Sequence, residues 1–211
     1  KKSVTIKSKI CIDATELGDV IAMSATAYDL GMEDAAYSKE AIAPGKNSII
    51  QDLTWAAILK DYGKGSDKTI PRPDGYDSTR FFKSCTSVFN SDSIAAPWTV
   101  QKMLNYGKIK NNKYMLNWPA SGNDYYLNVI EERPDDRIKK YAEEKNHTLQ
   151  FIYYIQKELG YKNLGLADDE FPTTDKLAMI PYNRESRRVK GLARLNNNYL
   201  VDPFGKNESL Y

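Results

Sequence analysis

The stretch PDDRIKKYAEEKNHTLQFIYYIQKELG, from Pro134 to Gly160, decides the fold class of this chain. Its apolar residues recur at spacings of three and four, the pattern of an amphipathic α-helix that turns one face toward a core. Two aspartates follow Pro134 in the first turn, where negative charge favours a helix start, and Gly160 is typical of a helix end. The spacing therefore predicts a helix over residues 135–159.

Short strands and long loops are predicted on either side of this helix. VTIKSKICIDAT (Val4–Thr15) first alternates and then becomes continuously apolar, so it predicts a strand or tight pair that ends buried before Asp13. Residues 51–59 predict a strand or a short helix. Residues 60–93, rich in Gly, Asp, Ser and Pro, predict a long surface excursion. We therefore expect an α+β fold with a mixed or antiparallel sheet and packed helices.

Composition limits the classes of partner. The chain has 211 residues, a formal net charge of +2 and no long basic block, so nucleic-acid binding is not expected. It shows no signal peptide and no run of about 18 apolar residues, so we expect a soluble chain without a membrane partner. Cys11 and Cys85 can be bridged or free, and the cellular compartment stays open.

Sequence motifs for the common chemistries are missing. The chain has neither GxxxxGKS/T nor GxGxxG, so it shows no complete nucleotide-binding turn. His147 is the only histidine and has no partner for a metal site, so we expect a surface or hydrogen-bonded residue and no metal. Adjacent carboxylates such as Glu131 and Glu132 rarely face each other as a glycosidase pair requires.

A basic stretch near the end of the chain, IPYNRESRRVKG (Ile180–Gly191), raises a separate question. On a helix, Arg184 and Arg188 would share a face, and Glu185 would reach Arg188. That arrangement is typical of a solvated, ion-paired surface. Arginine in place of lysine instead favours fixed bidentate contacts with a carboxylate or phosphate. The residues leave both interpretations open.

Three stretches resemble segments of one protein family. They are CIDATELGD (Cys11–Asp19), LGLADDEFPTTDKL (Leu164–Leu177) and PYNRESRRVKG (Pro181–Gly191). Together they are similar to bacterial FAD-dependent oxidoreductases, including those described as xanthan-lyase-like. The resemblance covers both ends of the chain, whereas residues 60–130 match only loosely. The arginine-rich motif is the most specific of the three.

The resemblance implies which part of such a flavoprotein this chain represents. In that family the GxGxxG turn for the FAD pyrophosphate precedes the Asp-Ala-Thr strand, and a second FAD-contacting segment follows the arginine motif. The chain is therefore expected to be an internal fragment, inactive alone, with the remainder of the FAD-binding domain as a partner. Residues 1–27 would be an edge strand and turn of that domain, and residues 28–211 the substrate or cap domain.

The resemblance also implies roles for individual residues. Those expected to bind the cofactor are Asp13, Ala14, Thr15, Gly18, Asp19 and Arg184. Those expected near the flavin ring or the substrate are Tyr182, Glu185, Arg187 and Arg188. One arginine would stabilise negative charge on the reduced flavin or hold a substrate carboxylate. No catalytic base is assigned.

Two functions from different classes follow. The first is an FAD-dependent oxidoreductase that moves a hydride from a small or sugar-like substrate to the flavin. The alternative is a non-catalytic carbohydrate-binding or interaction module, because the chain has 15 tyrosines, and Trp55, Trp98 and Trp118 would serve as stacking platforms. The flavoprotein is the preferred hypothesis, since the three matched stretches support it.

Overall fold

The computed structural model describes residues 3–32, 47–85 and 98–192, together with Leu200. The helices are α1 (Asp19–Met23), α2 (Val100–Tyr106) and α3 (Pro134–Lys157), with a 3-10 helix at Ser78–Phe81. The strands are β1 (Tyr28–Asp29), β2 (Leu53–Thr54), β3 (Ala57–Asp61), β4 (Lys108–Ile109), β5 (Lys113–Leu116), β6 (Asp124–Tyr125), β7 (Leu164–Leu166), β8 (Tyr182–Asn183) and β9 (Arg188–Val189). Within this described part, no helix is both long and apolar enough to cross a membrane.

The chain divides into two compact units. Unit 1 consists of Lys1–Gln51 and Glu185–Tyr211, and unit 2 of Asp52–Arg184. In unit 1, β1 pairs with β9. In unit 2, one sheet has the order β4-β5-β3-β7 and another the order β6-β2-β8, and these pairings are antiparallel. The predicted α+β class with antiparallel sheets is confirmed, as is the strand alternative for residues 51–59, which contain β2 and the start of β3.

Helix α3 organises the core of unit 2. Asp135 and Asp136 follow Pro134 in its first turn, and Gly160 has a left-handed φ of 82° just beyond its end. Its fully buried apolar side chains are Phe151, Ile152, Tyr154 and Ile155. Burying one side chain of this size stabilises a fold by roughly 1.5–3 kcal/mol. The predicted helix over 135–159 is confirmed to within two residues at either end.

The stretch predicted as a surface excursion, residues 60–93, is exposed or half-buried from 60 to 80, as expected, but its next residues pack onto helix α3. Phe81 is fully buried, and its ring lies 5.4 Å from that of Phe151. The Gln156 side chain accepts one hydrogen bond from the backbone of this stretch at 2.9 Å and donates another at 2.8 Å. Turn-forming composition therefore describes the exposed part of this segment but does not indicate the burial of Phe81. Residues 86–93 lie outside the described residues.

The predicted strand at the start of the chain is wrong. Residues 3–15 contain no strand, and the side chains of Val4, Ile6, Ile10 and Ile12 are 78–84% exposed. No strand among the described residues lies beside this segment to exchange backbone hydrogen bonds with it, and strands are not stable singly in water. The alternating pattern identifies a segment suited to pairing, but pairing also needs a neighbour.

Two of the tryptophans expected as stacking platforms are core residues. Trp55 is 4% exposed and Trp118 is 6% exposed. Trp98 packs edge-on against Trp118 with ring centroids 6.0 Å apart, and Lys102 Nζ lies 3.8 Å from the Trp98 ring centroid. A sugar cannot stack on rings that the protein itself covers, so these residues do not support the carbohydrate-binding alternative.

Candidate functional site

The basic segment near the end of the chain is extended rather than helical. Strand β8 ends at Asn183 and strand β9 begins at Arg188. Strand β8 pairs with β2, and strand β9 pairs with β1. These backbone hydrogen bonds keep the segment in an extended conformation. The expectation that Arg184 and Arg188 share a helix face is therefore wrong, and each arginine has its own surroundings.

Arg184 lies in unit 2 and is bonded to acceptors of that unit. Its Nη1 donates to Asp52 O at 2.8 Å, and its Nη2 donates to Asn117 Oδ1 at 2.9 Å and to Asp124 Oδ1 at 3.0 Å. The Arg184 side chain is 19% exposed, and its Cζ lies 5.1 Å from the Tyr182 ring centroid. Charge-assisted bonds to three acceptors make Arg184 a connection between neighbouring chain segments.

Arg187 joins two of the motifs that the resemblance singled out. It is 8% exposed, and its Nη1 donates to Leu17 O at 2.8 Å and to Asp19 Oδ1 at 3.1 Å. Between these acceptors, Gly18 has a φ of 67°, and a Cβ added there would lie 3.3 Å from Arg187 Cβ. Both the backbone conformation and the close approach favour glycine. The structure thus brings Gly18, Asp19 and Arg187 together in unit 1.

The Asp13–Asp19 turn is closed by its own hydrogen bonds. Asp13 accepts from Thr15 N at 2.9 Å, from Thr15 Oγ1 at 2.7 Å and from Ile21 N at 2.7 Å. Asp19 N donates to Thr15 Oγ1 at 2.7 Å. The hydrogen bonds from Thr15 are the main cause that lowers the pKa of Asp13 from its ordinary value. The turn has a fixed geometry, and Ala14 on it is exposed.

Arg188 and Glu185 form an ion pair within unit 1. Arg188 Nη2 also donates to Gly31 O, and Glu185 Oε2 accepts from Gln51 N at 3.0 Å. The pair therefore attaches the segment that returns from unit 2 to two distant points of unit 1. Of the predicted residues, Arg187, Arg188 and Glu185 lie in unit 1 with the Asp13–Asp19 turn, whereas Tyr182 and Arg184 lie in unit 2.

Unit 2 contains a buried carboxyl group that the sequence motifs do not indicate. Glu144 on helix α3 is fully buried, and its Oε1 accepts from Trp55 N at 2.5 Å. Its Oε2 is buried without a hydrogen-bond partner among the described residues. Burial raises the pKa of Glu144 to about 8, opposed by the Trp55 hydrogen bond and assisted by the charge of Asp124. Glu144 is therefore mostly protonated at neutral pH.

A cleft of about 230 Å³ lies in unit 2 and is lined in part by His147 and Gln150 of helix α3 and Tyr125 of strand β6. The His147 ring stacks on that of Tyr125 with centroids 4.7 Å apart. His147 Nε2 donates to Gly122 O at 2.9 Å, because a carbonyl oxygen only accepts. The prediction of a hydrogen-bonded histidine is confirmed for this nitrogen. The sequence did not indicate that His147 also lines a cleft.

The match to a known family extends over nearly the whole chain. A family model described as FAD dependent oxidoreductase matches residues 1–207. The chain belongs to this family. The predicted cofactor, FAD, and the predicted class of reaction are thereby confirmed, whereas the xanthan-lyase-like subgroup and the bacterial source stay predictions. No curated protein and no solved structure matches the chain.

The described residues of this FAD-dependent oxidoreductase fit its cofactor in one respect only. The Asp13 carboxylate is ionised and bonded within its own turn, and Asp19 accepts from Arg187, so neither side chain suits a phosphate. A pyrophosphate needs converging backbone donors such as a glycine-rich turn, and the sequence contains no GxGxxG. Only the exposed position of Ala14 on the turn is compatible with a place beside the cofactor.

Glu144 and Gln150 are not among the predicted site residues of this oxidoreductase, although the sequence carried a signal for both. Glu144 comes three residues after Tyr141, and Gln150 comes four residues before Tyr154, so both lie at helical spacing from apolar positions of α3. A polar residue at such a position is buried and needs a partner. A search for apolar periodicity alone overlooks polar residues that occupy apolar positions.

Proposed function

We propose that this protein oxidises a small or sugar-like substrate and passes the hydride to FAD. The family match over residues 1–207 carries the proposal. The bond between Arg187 and Leu17 supports it, because it joins two segments 170 residues apart that were both singled out by their resemblance to flavoproteins. When bound, FAD supplies the acceptor for the hydride. The residues of this chain contribute binding and positioning.

In this proposal, unit 1 belongs to the flavin-binding side of the enzyme and unit 2 to the substrate or cap side. Residues 1–27 were assigned to the FAD-binding domain from the sequence. Residues 185–192 bond to that part of the chain through Arg187 and Arg188, so we assign them there as well. Unit 2 has a hydrophobic core of its own and contains the cleft beside helix α3.

The proposed roles of single residues follow from their contacts. The Asp13–Asp19 turn approaches the flavin nucleotide through backbone atoms at Ala14, which is exposed. Arg187 acts as a positioning residue, because its hydrogen bond to Leu17 O fixes the position of that turn. On the substrate side, Tyr182 is 52% exposed and offers its ring beside Arg184.

The proposed protein partner is the rest of the FAD-binding domain. Val4, Ile6, Ile10 and Ile12 support this, since each is at least 78% exposed and together they follow an alternating strand pattern. A sheet neighbour would cover these side chains and supply the missing backbone hydrogen bonds. Burying them would remove apolar surface from water at roughly 25 cal/mol per Å².

Flavin binding is the experiment that tests the proposed function. The full-length flavoprotein that contains this sequence is purified under native conditions, beside the present chain alone, and the flavin absorbance of each is recorded before and after incubation with FAD and removal of the excess. In the full-length protein we expect bound flavin that loses its oxidised absorbance when an oxidisable sugar or small alcohol is added without oxygen. A full-length protein that carries no flavin and takes none up would refute the proposal.

A matched pair of substitutions, made in the full-length protein, tests the proposed contact at the turn. Ala14→Leu adds bulk at the exposed backbone that we place beside the nucleotide, so FAD affinity should fall by at least about tenfold, or roughly 1.4 kcal/mol. Ala22→Leu adds the same atoms at another exposed alanine of unit 1 and should leave the affinity within about twofold. Equal effects of the two substitutions would remove the turn from the cofactor site.

A further inference from the structure

The cleft of unit 2 is bordered by charged side chains of both signs. Arg80 of the 3-10 helix contributes a positive charge, and Asp74 and Glu143 contribute negative ones. All three residues are exposed, so a molecule that enters the cleft from the solvent can reach them. The cleft volume of about 230 Å³ is several times the roughly 30 Å³ that one water molecule occupies in the liquid. It therefore has room for a small organic molecule.

These opposite charges line one cleft but do not neutralise each other. Among the described residues, the Arg80 side chain forms neither an ion pair nor a hydrogen bond, although it borders the same cleft as two carboxylates. A guanidinium group carries five N–H donors in a planar fork that matches a carboxylate. Asp77, its acidic neighbour in sequence, has its Oδ1 occupied by Thr79 N at 3.0 Å and by Thr79 Oγ1 at 2.7 Å. Arg80 thus has unused donors at the border of the cleft.

The two negative charges of the cleft lie beside helix α3. Glu143 is on the helix itself, three residues before Asn146, and residues at this spacing lie on the same helix face. The Asp74 backbone is attached to that face, since its carbonyl oxygen accepts from Asn146 Nδ2 at 2.9 Å and from Gln150 Nε2 at 2.6 Å. Within the described ranges, neither the Asp74 nor the Glu143 carboxylate forms an ion pair or a hydrogen bond. Both carboxylates are therefore available to a ligand.

Uncharged groups complete the lining of the cleft. The His147 ring stacks on that of Tyr125 with centroids 4.7 Å apart, and burial is the main cause that lowers the pKa of His147, so the ring stays neutral at pH 7. Gly75, whose φ of 63° favours glycine, adds no side chain that would fill the space. The charge of the cleft therefore comes from its arginine and its two carboxylates alone.

A simple ion does not suit this arrangement. A small anion bonded to Arg80 would also meet two negative charges, and a small cation beside the carboxylates would also meet the guanidinium group. Like charges placed side by side disfavour binding, whereas a ligand that carries both signs meets an opposite charge at each end. Contacts between exposed charges are individually weak because solvent screens them, so the ligand must use both ends at once.

We infer that this cleft binds a small zwitterion of amino-acid size, whose carboxylate accepts hydrogen bonds from Arg80 and whose ammonium group lies beside Asp74 and Glu143. Each of these contacts is made by an exposed side chain. The inference concerns binding alone and holds whether or not the flavin is present. It goes beyond the proposed oxidation, because it assigns a specific cleft and a class of ligand that the family match does not indicate.

Calorimetric titration of the full-length protein that contains this sequence tests the inference. Glycine, L-valine and L-leucine are titrated separately, with FAD bound and after FAD has been removed. We expect at least one of these amino acids to bind saturably, with a Kd of about 1 mM or below. Because the flavin-free protein is titrated as well, a failure of the proposed oxidation does not affect the result.

Analogues with a single charged group are the controls. Methylamine, isobutylamine and isoamylamine are the three amino acids without the carboxylate, and acetate, isovalerate and 4-methylpentanoate are the same amino acids without the amino group. We expect both analogues of the bound amino acid to bind at least about tenfold more weakly than it does. An analogue that binds as tightly would overturn recognition at two ends. No saturable binding of any of the three amino acids would overturn the site itself.

A matched pair of arginine variants tests whether the amino acid binds in this cleft. Arg80→Gln removes the guanidinium group that we place on the ligand's carboxylate, so the Kd should rise at least about tenfold. Arg72→Gln removes the charge of another exposed arginine of the same segment, one that does not line the cleft, and should leave the Kd within about twofold. Both side chains are exposed, so both variants should fold. Equal Kd values in the two variants would overturn the assignment to this cleft.

Discussion

Replacing Glu144 by glutamine tests whether one buried carboxyl group controls how the stability of the protein depends on pH. In the folded protein the pKa of Glu144 is about 8, against an ordinary value of 4.5. Between these values the unfolded chain releases this proton while the folded chain keeps it. The free energy of unfolding must therefore fall as the pH rises from about 4.5, and the fall ends near pH 8.

The size of the effect follows from the two pKa values. Each pH unit inside the window is worth about 1.4 kcal/mol, and the difference of about 3.5 between the values gives roughly 5 kcal/mol at most. Glutamine does not titrate, and its amide oxygen can still accept from Trp55 N. The stability of Glu144→Gln relative to wild type should thus rise by about 1.4 kcal/mol per pH unit and level off above about pH 8.

Urea unfolding followed by tryptophan fluorescence at several pH values between about 5 and 9 measures this difference. His147 titrates in the same range, and its lowered folded-state pKa makes stability rise with pH up to about its ordinary value of 6.5. Both proteins contain His147, so its contribution cancels when one curve is subtracted from the other. Glu143→Gln, at the exposed neighbouring glutamate, is the control and should give a flat difference.

A difference between Glu144→Gln and wild type that does not change with pH would refute this reasoning. It would mean that Glu144 is ionised in the folded protein, with a donor near Oε2 that offsets its burial. A slope as steep in Glu143→Gln would instead place the effect in the general charge of helix α3.

Three further outcomes are expected. Arg187→Leu should lower the free energy of opening unit 1 by roughly 2–3 kcal/mol, because Leu17 O and Asp19 lose a buried donor. Hydrogen exchange of the amides of helix α1 measures this change, and unchanged protection would contradict the prediction. Phe81→Ala should cost roughly 3–5 kcal/mol by leaving a cavity beside helix α3, which urea unfolding detects, and a cost below about 1 kcal/mol would show that this segment is not core. In native protein a thiol reagent should label exposed Cys11 quickly and buried Cys85, whose pKa burial raises, only after unfolding; equal rates would contradict its burial.

Helix α3 could be predicted because its signal lies inside one window of sequence. Apolar spacing, Asp135 and Asp136 at the start and Gly160 after the end all act locally, and the observed bounds follow them. Strands β6 and β8 give no such signal. They have two residues each, too few to show alternation, and they exist because Leu53 of β2 lies opposite Tyr125 on one side and Asn183 on the other.

The arginine motif shows the same limit at the level of the site. Arg187 contacts the Asp13–Asp19 turn that the resemblance also selects. The conformation of the motif does not follow from the sequence, because a separation of four residues between Arg184 and Arg188 gives a shared face only on a helix. Backbone pairing of β8 and β9 with strands elsewhere in the chain decided that conformation. Resemblance selects residues without giving the geometry in which they lie.

The polar residues of helix α3 show how burial determines which groups inside unit 2 carry a charge. Glu144 and His147 are both titratable, and burial shifts each pKa in the direction that leaves the group neutral at pH 7. Gln150 cannot be charged. A buried side of the helix built from these residues carries no charge at pH 7, so it contributes hydrogen bonds and not charge to the interior of unit 2. The family match supplies the cofactor and the class of reaction, but it does not indicate this pattern of neutral polar groups.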